Sequence, residues 1–301
     1  MNIAEFKKLF QQSGKRCELA GDETLGVFAA PDLEARLYLV FRGEVVSRVN
    51  PDAILNYSDR TVYRNPGGDG LWPAPEGSRY GYNYATGSWC VSSGLLRARF
   101  ETERKDGKLI LAGEVPLINA QGIGLLTEFR RSLDVSERNG IVVEDSIRYL
   151  GPVNRETGSV RLAAWSLSQF DRHDGDFCKL DDPGSIRDLY GDSSRFRKED
   201  TCFPTDEMRY QVACGESCTG IHLILKDRGI MISRQALSAP GTYMDIADIA
   251  PSEELSEEAV KYSFYSDPSG FMEIETVGPG QRELEIGDTL TLTTANEIRM
   301  L

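Results

Sequence analysis

Beyond its first fourteen residues this chain keeps a hydrophobic period of two, in short runs cut by turn-forming residues, and that pattern excludes most architectures. Residues 25–29, 35–41, 95–103, 108–115, 127–135, 141–149, 220–225 and 229–235 are β-prone runs of this kind. Asp106-Gly107 and Asn139-Gly140 are tight-turn dipeptides, and Lys226-Asp227-Arg228-Gly229 joins two further runs. Roughly sixteen strand candidates follow, with no alternation of strand and helix. The expectation is an all-β fold of two or more packed, mostly antiparallel sheets.

The one helical pattern leads the chain. Ile3, Phe6, Leu9 and Phe10 recur at helical spacing and Gly14 ends the run, which predicts a leading helix over 1–13. At 301 residues and 40% hydrophobic the chain can bury a large core, so a single β-sandwich domain spanning 1–301 is expected. Residues 171–205 lose periodicity and gather Asp174, Asp176, Asp181, Asp182, Asp188 and Asp192. They read as an irregular acidic insertion, either solvated or a lid over a pocket.

A formal net charge of −13 argues against nucleic acid and anionic membrane surfaces as partners. A neutral or cationic small molecule stays compatible. The N-terminus carries Glu5, Lys7 and Lys8 within its apolar positions and lacks a secretory core, and no later stretch reaches a membrane span, so a cytoplasmic protein is expected. Six scattered cysteines suit a reducing compartment. Cys202, Cys214 and Cys218 do not complete a zinc set, and no metal or cofactor is expected; the oligomeric state is open.

The candidate chemistry lies near the end of the chain, in Phe271-Met-Glu-Ile-Glu275-Thr-Val-Gly-Pro-Gly280. Alternation on a strand puts Glu273 and Glu275 side by side on one face. Two carboxyls so placed raise each other's pKa and can serve as a general base or hold hydroxyls; the other reading is a solvated acidic edge. A second unusual stretch is Gly67-Gly-Asp-Gly-Leu-Trp-Pro-Ala-Pro-Glu-Gly77, read as a glycine-rich loop and followed by Tyr80, Tyr82 and Tyr84. Flat rings with polar edges suit the faces of a sugar, or else pack the loop on itself.

Met272-Glu-Ile-Glu-Thr-Val-Gly-Pro279 and Leu284-Glu-Ile-Gly287 resemble the C-terminal signature of uncharacterised bacterial relatives of galactose mutarotase (aldose 1-epimerase). The stretch from Gly67 to Gly77 is similar to a pocket loop of the same relatives, and Leu162-Ala-Ala-Trp-Ser-Leu to one of their central strands. The resemblance implies a galactose-mutarotase-like supersandwich with a short N-terminal helix. It implies Glu275 as general base with Glu273 beside it, and Asp69, Trp72 and Glu76 as sugar contacts. Gln169, at the end of the Trp165 strand, is a further contact candidate. Arg234 matches a cationic strand end of the relatives and would balance the acids or hold sugar oxygens.

Mutarotases add a histidine general acid. His173 is the candidate by type, although it lies downstream of the family's Asn-His motif and no histidine stands near Ile147-Arg148-Tyr149. Two functions are therefore expected: a carbohydrate-binding protein, acting as a sugar mutarotase or epimerase if catalytic, or a non-catalytic interaction or structural module on the same scaffold.

Overall fold

The computed structural model describes residues 1–58, 62–136, 140–151, 160–195, 197, 199, 201–205, 208–237 and 241–301. The chain opens with helix α1 (Ile3–Ser13), then β1 (Glu18–Gly21), β2 (Leu25–Ala30), β3 (Arg36–Phe41), β4 (Glu44–Val45), α2 (Pro51–Leu55) and β5 (Asp69–Ala74). After α3 (Ser93–Arg97) come β6 (Glu101–Lys105), β7 (Lys108–Ile118), β8 (Gly124–Ser136), β9 (Gly140–Gly151) and β10 (Ala163–Asp171). The remainder is β11 (Phe177–Asp181), β12 (Ile186–Tyr190), β13 (Cys202–Pro204), β14 (Tyr210–Cys214), β15 (Gly220–Leu225), β16 (Ile230–Ala236), β17 (Tyr262–Asp267), β18 (Phe271–Val277) and β19 (Thr289–Met300).

Two antiparallel sheets form. One runs β1-β2-β3-β5-β10-β18-β17-β14-β12 with β4 on β3; the other runs β13-β11-β15-β16-β19-β9-β8-β7-β6. Their facing residues, among them Leu37, Leu71, Phe129, Leu133, Ile147, Ile232, Ile274 and Leu292, make one apolar core. The expected all-β sandwich is what the sequence folds into.

Local chemistry explains the elements. Asn2 caps α1 through Glu5 N–H at 2.9 Å while Glu5 returns a bond to Asn2 N–H, and Gly14 ends it at φ 69°. The helix packs Phe6 on Phe28 and Tyr38, centroids 4.9 and 5.0 Å apart, so it covers the outer face of the first sheet at β2 and β3. In the β6–β7 hairpin Asp106 and Gly107 both take positive φ, 50° and 79°, the turn that matches strand twist. Ser136 pairs with Gly140 across β8 and β9, but the Arg138-Asn139 turn lies outside the described residues.

Three readings of the sequence need correction. Residues 95–97, expected to begin a strand, belong to α3, and α2 is a further short helix capped by Asn50. The stretch from Asp69 to Ala74, read as part of a loop, is the buried strand β5, paired with β10 from Asp69↔Ser168 to Ala74↔Ala163. Residues 171–205 are not irregular throughout: β11 and β13 extend the second sheet, and β12 edges the first. Each of these strands is no longer than five residues and is held by its neighbours, so propensity alone could not reveal it.

Candidate functional site

Strands β10 and β18 lie side by side at the centre of the first sheet, with Leu167↔Glu275 and Gln169↔Glu273 in register. Direct partners share a face, so Trp165, Leu167, Gln169, Glu273 and Glu275 point away from the core. From β5, Trp72 stands opposite Trp165, their rings edge-to-face at 6.1 Å. From β17, Tyr265 stands opposite Glu273. A cavity of about 370 Å³ opens over this face, lined by Trp72, Trp165, Glu273 and Glu275 together with Glu76, Trp89, Arg209, Gln211 and Asp248 from other segments.

The carboxyls are held by neutral donors. Glu275 is 1% exposed; Trp165 Nε1 donates to its Oε2 at 3.2 Å and Gln211 Nε2 donates to both oxygens at 3.2 Å. Gln169 Nε2 donates to Glu273 Oε1 at 2.6 Å. Glu76 accepts from Trp89 Nε1 at 2.7 Å and, at 3.4 Å, from Asn83 Nδ2.

Burial without a paired cation disfavours the charged form. It pushes Glu76 up to about 8, with Asp248 adding to the rise and the Trp89 bond opposing it. It pushes Glu273 to about 7, against the Gln169 bond and the Arg36 charge. Glu275 is raised well above the usual carboxylate range by burial and then by Glu273 and Glu76. The three acids titrate as one interacting group, and near neutral pH Glu273 is the one that ionises most readily.

Asp69 and Arg234, expected at the sugar, are elsewhere. Asp69 faces the space between the sheets, where Arg131 of β8 pairs with its Oδ1 and Arg234 of β16 with its Oδ2 at 2.5 Å. Ser166 donates to it at 3.0 Å, Ser168 donates as well, and Arg131 also pairs with Asp145 at 2.7 Å. Burial alone would raise Asp69, but the Arg234 and Arg131 guanidiniums hold it below the ordinary range. Arg234 also donates to the Ile274 carbonyl at 3.1 Å, so it sits beneath the strand of the acidic pair without reaching either carboxyl. Alternation carries the reason: Asp69 and Ile274 are on the core face, one residue out of phase with Trp72 and the glutamates.

His173 is also displaced. It follows β10 on an exposed turn, with Nδ1 at 3.4 Å from Asp227 and 3.8 Å from Asp176, and it does not line the cavity. His222 is engaged by Asp181 and Ser233 on the second sheet. Gln169 donates to Glu273, is itself 3% exposed and does not line the cavity. No described residue of 171–205 lines the cavity, although Tyr190 of β12 stacks on Arg209 of its wall at 4.0 Å. The six cysteines are unpaired.

Sequence reasoning missed Trp89, Arg209, Gln211 and Asp248. Gln211 had a signal: it is the polar residue inside the apolar run Tyr210-Gln-Val-Ala, and its register with Tyr265 puts it on the glutamate face. Asp248 lies in the connector at 241–261, where it accepts from Tyr84 Oη and pairs with Arg209 at 3.6 Å. No pattern in the chain ties these three segments together.

No protein-family model matches the chain, and no curated protein matches it in sequence. Solved structures do match it. A candidate aldose 1-epimerase of Escherichia coli K12 superposes over 96% of this chain and 100% of its own, with a TM-score of 0.59 at 10% identity. A protein of Synechocystis sp. PCC 6803 covers 95% and 96% with a TM-score of 0.60 at 12% identity. The GalM/aldose epimerase homologue of C. elegans covers 95% and 99% with a TM-score of 0.54 at 12% identity. No helix among the described residues is long and apolar enough to cross a membrane. At such identities the likeness is one of architecture, and it places this chain in the galactose-mutarotase-like sandwich fold.

Proposed function

We propose that the cavity over β10 and β18 binds an aldose and interconverts its anomers, with Glu273 and Glu275 as the acid–base pair. The observation that carries this reading is the convergence of two interacting carboxyls of raised pKa with the rings of Trp72, Trp89 and Trp165 in one open cavity of about 370 Å³. Such a volume lies at the lower end of the roughly 300–1,000 Å³ of small-molecule sites. Tryptophan faces pack on the C–H faces of a sugar ring, and acids accept its hydroxyls.

Anomer exchange needs one group to take the proton of O1 and another to protonate the ring oxygen, so that the C1–O5 bond opens; reversal after rotation about C1–C2 gives the other anomer. Glu273, the readier to ionise, takes the O1 proton. Glu275, held protonated, donates to O5. Carboxyls two residues apart on a strand stand roughly 6.5 Å apart at Cα, a span that can straddle the O1 and O5 edge of a ring. Two side-by-side carboxyls sharing one proton are a known way to divide these roles, and here no histidine is required. The six unpaired thiols support a reducing, cytoplasmic setting.

The test is NMR anomer exchange over a panel of aldoses, with wild type beside Glu273→Gln and Glu275→Gln. Exchange faster than the buffer rate for at least one sugar, lost in both variants, supports the proposal. Unaccelerated exchange for every sugar leaves a non-catalytic module.

A further inference from the structure

We propose that the sugar taken by this cavity is an amino sugar, whose ammonium group sits beside Glu76. This rests on the carbohydrate reading above and adds the substrate's charge class.

Among the described residues, the cavity wall holds five carboxyls, Glu76, Asp248, Asp267, Glu273 and Glu275, against one cation, Arg209. Arg209 is already committed. Its guanidinium stacks on Tyr190 at 4.0 Å, lies 5.5 Å from the Tyr265 centroid and pairs with Asp248 at 3.6 Å. The other cations near Glu273 are outside the lining. Arg36 is buried on Glu34 at 2.9 Å and Tyr63 Oη at 2.8 Å, and Arg48 stacks on Phe271 at 4.4 Å. A phosphorylated or carboxylated sugar would bring a further anion into this wall without a free guanidinium among the described residues to meet it.

An ammonium meets the opposite situation. Glu76 is faced by Asp248 from the 241–261 connector and by Glu273 and Glu275 from β18, and its only described donors, Trp89 and Asn83, are neutral. Arg209, whose charge also acts on Glu76, is engaged with Asp248, and Tyr84 already donates to Asp248. A cation entering here supplies the counter-charge that the fold omits, and the indole rings add cation–π faces. Wall carboxyls that are protonated in the empty cavity then ionise, and each proton passes to solvent, so binding and proton release are one linked event.

Titration calorimetry of the full chain reads both consequences. The probes are glucosamine, galactosamine and mannosamine, each beside its N-acetyl form, its parent hexose and its 6-phosphate. At about pH 6.5, where buried carboxyls of this kind hold protons, two buffers of different ionisation enthalpy report the protons released. The expected result is at least one amino sugar bound about tenfold or more tighter than its N-acetyl and parent forms, with net proton release. In Glu76→Gln the ratio should fall to about threefold or less, and Asp248→Asn provides the same readout if that variant folds poorly. A parent hexose or 6-phosphate bound as tightly as its amino sugar, or binding without proton release, overturns the amino-sugar assignment and leaves the carbohydrate reading standing. Absence of binding by any probe overturns both.

Discussion

Gln169 on β10 donates its side-chain amide to Glu273 on β18 at 2.6 Å, directly across the central strand pair of the first sheet. The donor favours the ionised form, as do the charges of Arg36 and Arg48, whereas Glu275 has neutral donors and two acids around it, so Glu273 ionises before Glu275. Glu275, flanked by Glu273 and Glu76, keeps its proton to higher pH. The difference between two glutamates of one strand is the basis of the proposed division of labour.

Replacing either acid should therefore abolish the chemistry while the fold survives. Glu273→Gln and Glu275→Gln are each expected to lower anomer exchange by about 10²-fold or more, since a positioned acid or base is commonly responsible for that much. Saturation-transfer NMR at fixed sugar concentration measures it. His173→Ala, on its exposed turn, should change the rate by less than about twofold.

The rate should follow pH as a bell. It rises as pH passes through about 7, where Glu273 becomes the base, and falls at higher pH where Glu275 ionises. In Gln169→Leu the loss of the donor moves the rising limb to higher pH, and a pH profile of kcat/KM reads the displacement.

Stability should respond to the same carboxyls. Glu273 and Glu76 are raised from 4.5 to about 7 and about 8 in the folded chain, so the folded state binds more protons than the unfolded one between those limits. Their contribution is fully present below 4.5 and is lost as pH rises through 7 and then 8. Wild type should lose more in Tm between pH 5 and pH 9 than Glu76→Gln does, and differential scanning calorimetry compares them. Asp69 has the opposite sign: its pKa is depressed, so its contribution is present above 3.8 and is lost only as pH falls into the acid range.

Asp69→Asn should act on folding. It leaves the Arg131 and Arg234 guanidiniums facing each other between the sheets with one fewer carboxylate, and breaking a buried pair costs about 3–5 kcal/mol. Urea unfolding at neutral pH measures the loss. A sugar contact at Asp69 would instead show as weaker binding at unchanged stability.

Much of this was legible in the chain. Glu273 and Glu275 share a face because strand alternation is a property of the backbone, and Phe271 to Val277 is strand throughout. Trp72 and Glu76, named from the stretch 67–77, line the cavity, and their contact with a sugar belongs to the proposal. Asp69 was misassigned because its partners come from β8 and β16, 62 and 165 residues away, and a buried ion network leaves no local periodic mark. His173 was named by residue type, and type does not fix direction. Trp89, Gln211 and Asp248 come from three separate segments that line one cavity only in the folded chain, which is tertiary information.

The register of β18 sets a tolerance that side-chain chemistry does not reveal. Met272, Ile274 and Thr276 fill the interior in alternation with the two acids, and pairing on both flanks, Ile274↔Ser168 and Ile274↔Phe264, fixes which set faces which way. Deleting or inserting one residue between Phe271 and Glu273, with the start of the strand held in register, would turn both glutamates into the oily interior and present methionine and isoleucine to the cavity, and a change between the two acids would split them across the faces. Substitution can tune this site; a change of strand length by one erases it.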